Sequence, residues 1–199
     1  MKKIRMFSLM AAPLALVALL AGCASGDSSM PGMDHDGSPS SSPSVEVDFN
    51  DADAVFASMM IPHHQQAVEM SEMILGKAGV DQRVLDLAEQ IKDAQGPEIE
   101  LMQSWLDTWG VPSSDGMDGM DHGDGMMSDD DIAALDAANG IEASQLFLEQ
   151  MILHHSGAIE MAQSELADGI NPDALDLAKA IVDAQTTEMA AMQDLLRQI

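Results

Sequence analysis

Residues 55–70 read VFASMMIPHHQQAVEM, and residues 146–161 read LFLEQMILHHSGAIEM. Each stretch carries a His-His pair with a Met seven residues after the first His: His63, His64 and Met70 in one, His154, His155 and Met161 in the other. A second block repeats downstream of each. LDLAEQIKDAQGPEIELMQSWL (85–106) stands against LDLAKAIVDAQTTEMAAMQDLL (175–196). Duplication over this length means two copies of one supersecondary unit that face each other. The apolar spacing is helical throughout, and strand-type alternation is absent.

Local chemistry sets the expected boundaries. Asn50, with Asp53 three residues on, is an N-cap for the first long helix. Gly76 or Gly79 suits a left-handed C-cap. The second helix follows Asp81 and runs to Gly110-Val111-Pro112. Residues 111–128, rich in Met, Asp and Gly, have no apolar period and read as a loop. Ser128 with Asp131 forms a capping box for a short helix that ends at Asn139-Gly140. The third long helix covers about Glu142 to Ala167, stopped by Gly169. Asn171-Pro172 caps and starts the fourth. The expectation is an all-α, four-helix bundle of two duplicated antiparallel hairpins, over 50–110 and 129–199.

The chain before residue 50 is not fold. Lys2, Lys3 and Arg5 head an apolar run, and Leu20-Ala21-Gly22-Cys23 forms a cleavage box, so residues 1–22 read as a secretory signal. A Cys at that point resembles the bacterial lipoprotein box, in which Cys23 becomes the lipidated first residue. Acyl chains would hold the protein on a membrane face, since each buried methylene contributes roughly 0.8 kcal/mol. Residues 24–49 are rich in Ser, Pro, Gly and Asp and read as a flexible tether. The formal charge is −26 over 199 residues. Signal cleavage leaves five basic against 34 acidic residues, or −29. Such a surface repels nucleic acid and anionic lipid, and attracts cations. With Cys23 lipidated, no thiol remains for disulfides or Cys-based zinc sites.

Positions i, i+4 and i+7 share a helix face. The first His of each pair, His63 or His154, falls in the middle of the core stripe. The second, His64 or His155, falls about 100° round, at its edge. The stripes of the second and fourth helices run Leu85, Ala88, Ile91, Gln95, Glu98, Met102, Trp105 and Leu175, Ala178, Ile181, Gln185, Glu188, Met192, Leu195. A carboxylate on an apolar face must be paired or hold a cation. Duplicated His, Glu and Met therefore point to a metal site or to a His–Glu network that fixes helix register.

Met60/Met151, Met70/Met161 and Met102/Met192 recur in both copies as candidate ligands. Two further groups, Met30, Met33 and His35 in the tether and Met117, Met120, His122, Met126 and Met127 in the loop, lie in Gly/Asp-rich segments. There, thioethers gain nothing from packing, and these segments read as accessory metal-capture arms. Thioether and imidazole together favour Cu(I), with His-rich subsets accepting Cu(II). Zinc rarely uses Met. A di-iron site would want about four core Glu and Glu-x-x-His pairs, whereas the chain offers one clear core carboxylate per hairpin and no Glu-x-x-His. Pro62 before His63 and Pro97 before Glu98 each remove a helical hydrogen bond. They predict bends beside the site and two unequal half-sites, since the second copy has Leu153 and Thr187 there.

The motif Met-Ile-x-His-His-x-x-Ala-x-x-Met, present as MIPHHQQAVEM (60–70) and MILHHSGAIEM (151–161), resembles the bacterial family named domain of unknown function 305. The resemblance spans about Asn50 to the C-terminus. It implies a ferritin-like bundle in an exported, often lipid-anchored protein, with some relatives linked to copper tolerance. By position it points to His63, His64, Met70, His154, His155 and Met161. The chain departs from a strict duplicate at Gln150 and Glu165, where the first copy has Met59 and Ile74.

The function expected is an extracytoplasmic, non-enzymatic lipoprotein that sequesters or delivers copper, held at the outer face of the cytoplasmic membrane or another envelope membrane. A copper donor or acceptor protein would be its partner. Two readings stand beside it: a structural or partner-binding bundle without metal, and a metal-dependent oxidase.

Overall fold

The structure, a computed structural model, describes residues 48–112 and 125–199. Its helices are α1 (Asp51–Leu75), α2 (Gln82–Trp109), α3 (Asp129–Ala137), α4 (Gly140–Asp168) and α5 (Pro172–Leu196). The described residues contain no strand. Hairpin α1–α2 and hairpin α4–α5 are the two copies, and they meet along α1 and α4. The short α3 lies against both of those helices. No described helix is long and apolar enough to cross a membrane.

The caps explain the ends. Asn50 accepts from the Ala52 and Asp53 backbone while Asp53 accepts from Asn50, a reciprocal box that satisfies orphan N–H groups. Ser128 and Asp131 repeat the device on α3. Gly110 ends α2 in the left-handed region at φ 69°. Of the two glycines offered as the left-handed cap after α1, Gly79 takes that conformation and Gly76 does not. Gly76 ends α1 in right-handed geometry, and Gly169 ends α4 in extended backbone. The left-handed residue after α1 is Gly79 at φ 76°, where a side chain would press on the Cα of Gly140, 3.4 Å away. Gly169 is held extended because the next two N–H groups are captured by Asp53 across the bundle.

Neither proline breaks its helix. α1 runs through Pro62 and α2 through Pro97, and both rings face solvent. The prolines therefore stand away from the buried faces.

The interior divides into two apolar clusters. One gathers Met70, Ile74, Leu87, Ile91, Leu135, Phe147, Met151 and Met192. The other gathers Phe56, Met60, Met102, Leu106, Ala162, Leu177 and Ile181, with half-buried Met161 against it. Because α1 and α4 run antiparallel, each cluster mixes the residues before the His pair of one copy with those after the His pair of the other. The histidines lie between.

Candidate metal centre

One turn of helix either side of His63 and His154 carries small or thioether side chains: Met60 and Ala67 on α1, Met151 and Ala158 on α4. All four are fully buried. The small alanines let the two helices approach. The two imidazoles meet across the seam with ring centroids 3.7 Å apart and planes tilted by 37°. Their neighbours lie farther out, His64 at 6.5 Å from His63 and His155 at 6.4 Å from His154. The expected edge position of His64 and His155 is corrected: all four histidines are at most 1% exposed. The face 100° round from the α1–α4 seam is itself buried, because each of these helices also packs along its own hairpin partner.

Glu98 and Glu188 do not reach the central pair. Glu98 Oε2 lies 2.8 Å from His64 Nε2, and Glu188 Oε2 lies 2.7 Å from His155 Nε2. A carboxylate can only accept, so these ring nitrogens carry the proton. In a neutral ring, Nδ1 is then left with the free lone pair. The carboxylates are also less buried than expected, at 25% and 22% side-chain exposure. At this level the two half-sites match.

Six buried ring nitrogens find no hydrogen-bond partner: both of His63, both of His154, and Nδ1 of His64 and of His155. The buried Gln95 and Gln185 likewise leave Oε1 unpartnered. Burial, with the neighbouring His64 and His155 adding to it, depresses His63 to about 3. Burial likewise holds His154 well below the ordinary imidazole range, with the facing His63 as the next cause. Both central rings are therefore neutral, the form that binds metal. Among the described residues, no three His, Asp or Glu side chains form a ready-made metal cluster. What converges is a pair of neutral imidazoles flanked by a second pair.

The methionines sort unevenly. Met60, Met70, Met102, Met151 and Met192 are fully buried, while Met161 is half-buried and lines a surface cavity. Met127 corrects the loop reading. It is 7% exposed and belongs to the core cluster with Met70 and Met151. Gln66, one turn after His63, accepts from Met127 N–H at 2.7 Å and donates to its carbonyl at 2.9 Å. Just before it Gly125, at φ 95°, lies so close to α4 that a Cβ would fall 2.9 Å from the Leu153 carbonyl and 3.0 Å from Gly157. Residues 125–127 thus lie across both long helices one turn from the imidazoles. Met126 is half-buried. Met30, Met33, His35, Met117, Met120, His122 and Cys23 lie outside the described residues.

A second polar cluster escaped the sequence reading. Asp53 is fully buried and accepts from Asn50 N–H at 2.7 Å, Asn171 N–H at 2.9 Å and Ile170 N–H at 3.1 Å. Burial alone would raise its carboxyl, but these backbone donors and Glu165 outweigh it and hold the group lowered. Glu165 is pushed up to about 8 by burial, with the Asp53 side chain beside it adding to the effect. The signal available in sequence was Glu165 itself, an acid where the first copy has Ile74.

The sequence profile of Domain of unknown function (DUF305) matches residues 53–196. The chain belongs to the DUF305 family. Among solved structures, a DUF305 protein of Streptomyces coelicolor is 33% identical with a TM-score of 0.69, over 74% of this chain and 93% of that one. A DUF305 fragment from Deinococcus radiodurans is 28% identical with a TM-score of 0.68, over 75% and 98%. CopM in its Cu(I)-bound form is 29% identical with a TM-score of 0.64, over 73% and 96%. CopM has also been solved with Cu(II) and with silver. No curated protein matches the chain. The DUF305 bundle thus has copper-binding relatives.

Proposed function

We propose that this protein binds copper at the centre of the α1–α4 seam and sequesters it or hands it on, without catalysis. The observation that supports this reading most is the set of six unpartnered ring nitrogens. A buried polar group left unsatisfied costs about 1–3 kcal/mol, and native folds hold only about 5–15 kcal/mol in reserve. Six such atoms on duplicated residues are a large liability for scaffolding alone. A soft cation removes it by accepting lone pairs.

The donor chemistry suits copper. His63 and His154 present neutral imidazoles from opposite hairpins, and His64 and His155 offer Nδ1. Thioethers one turn away, Met60 and Met151, add the soft ligands that favour Cu(I), while the imidazoles also accept Cu(II). Glu98 and Glu188 fit an orienting role better than ligation: each fixes the tautomer of the His it binds and raises its basicity. The copper is cargo, and the surrounding apolar clusters keep water from it.

The finer parts of the reading rest on sequence. Residues 1–22 would direct export and lipidated Cys23 would hold the protein on an envelope membrane. Met30, Met33, His35, Met117, Met120 and His122 would capture metal on flexible arms and raise its local concentration. A donor or acceptor protein would complete the route.

The test is competition for Cu(I) against a chromophoric chelator, comparing the intact protein with the His63→Ala/His154→Ala variant. Affinity should fall by more than the roughly 100-fold that loss of an outer-shell partner can cost. Unchanged affinity in a folded variant would assign the six nitrogens to internal water and leave a register-fixing scaffold.

A further inference from the structure

At the end of the bundle where α1 begins, a cavity of about 420 Å³ opens to solvent. Its wall includes Asp51, Val55, Phe56 and Met59 from α1, and Met161 and Glu165 from α4. Two thioethers, one from each hairpin, therefore share one solvent-connected space. Both are half-buried, unlike the sealed methionines of the core. No Lys, Arg or His lines the cavity, and Asp51 and Asp168 edge it.

Glu165 is the decisive group. It is 1% exposed, lines this space, takes a hydrogen bond from no N–H, and has the Asp53 carboxyl as its polar neighbour. The equivalent region of the other half has nothing comparable. Gln150 stands where Met59 does and spends its amide on the Asp131 carbonyl, 2.8 Å away. Ile74 stands where Glu165 does and is fully buried. A chain that duplicates its centre but replaces Gln with Met and Ile with Glu at one end has a chemistry specific to that end.

We propose that this cavity is a second, surface-accessible site for a soft monovalent cation, Cu(I) or Ag(I), held by the thioethers of Met59 and Met161 with the Glu165 carboxyl at its wall. Sulfur selects the softness, and the charged residues at the rim, Asp51 and Asp168, are both acidic and favour a cation. The site is distinct from the imidazole centre, and its place on the surface suits it to load metal before the metal moves inward. The proposal rests on the copper reading above for its biological sense, but not for its existence.

The experiment is a titration of the full chain, labelled with [methyl-13C]methionine, with Ag(I) as the redox-inert probe. Resonances are assigned through Met59→Leu and Met161→Leu, substitutions that keep side-chain volume. The Met59 and Met161 methyls should shift together at one midpoint. Each Leu variant should weaken the shift of the other methyl by at least the roughly tenfold that loss of even an outer-shell partner costs. The shifts should persist in the His63→Ala/His154→Ala protein. If they do while that variant keeps full Cu(I) affinity, the cavity stands and the imidazole centre falls. Methyls that stay still while other methionines respond, or that respond only when His63 and His154 are present, would overturn the cavity site. So would a response to benzene but not to Ag(I).

Discussion

The two ends of this bundle are built from equivalent positions and differ in kind. At the end closed by α3, Ser144 accepts from the Asp81 backbone at 3.1 Å, Ile74 is fully buried, and Gln150 clamps α3 through Asp131. At the other end the same three positions hold Asp53, Glu165 and Met59. Asp53 gathers backbone donors from three residues, Glu165 is a buried acid, and Met59 faces a cavity. Between them the imidazole pairs are nearly identical in geometry. Duplication has been kept where both hairpins must meet at one point. It has been spent at the ends, one for closure and one for access.

The sharpest way to break this contrast is to remove the same ring at each end. Phe147→Ala, inside the closed end, should cost about 3–5 kcal/mol of unfolding free energy. Phe56→Ala, on the cavity wall, should cost roughly 1 kcal/mol less, because water can enter the space it leaves. Denaturant titration measures both, and equal losses would mean that the cavity is not open in solution.

The centre, by contrast, should behave symmetrically. Glu98→Ala and Glu188→Ala should each weaken copper binding by about 10–100-fold, as loss of an orienting partner does. A large effect from one and none from the other would show that the half-sites differ despite their matching distances. Gln66→Ala probes the closure itself. It removes both hydrogen bonds to Met127 and should lower stability by about 1–2 kcal/mol, with Met127 gaining reactivity towards mild oxidant.

The open end also carries a pH dependence. Glu165 has its carboxyl raised from 4.5 to about 8, so the folded state holds a proton that the unfolded chain releases earlier. That contribution is fully present below pH 4.5 and declines as pH rises through 8. The Tm of the parent should fall relative to that of Glu165→Gln across that window and then level off. Parallel curves would place Glu165 in an ordinary solvated state.

Much of this architecture is legible in the sequence, because helices and caps are local. The Asn50/Asp53 and Ser128/Asp131 boxes, the end of α2 at Gly110 and the Asn171-Pro172 start each follow from a few adjacent residues. What sequence misplaces is set by distant contacts. Met127 reads as exposed because nothing near it in the chain is apolar in period; Gln66, sixty-one residues away, anchors it. His64 and His155 read as edge residues because one helical stripe cannot show that a helix is packed on two sides. The stop at Gly169 is legible, but the capture of Ile170 and Asn171 by Asp53 that holds it extended is invisible locally. The candidate centre was found by the duplication, while the roles of Glu98 and Glu188 needed coordinates.

The central claim is that copper meets imidazole inside the α1–α4 seam. Copper K-edge X-ray absorption of the intact protein loaded with one equivalent of Cu(I) tests it most directly. The account predicts multiple-scattering features of coordinated imidazole, lost in the His63→Ala/His154→Ala variant. A spectrum of sulfur scatterers alone, unchanged by that substitution, would contradict it.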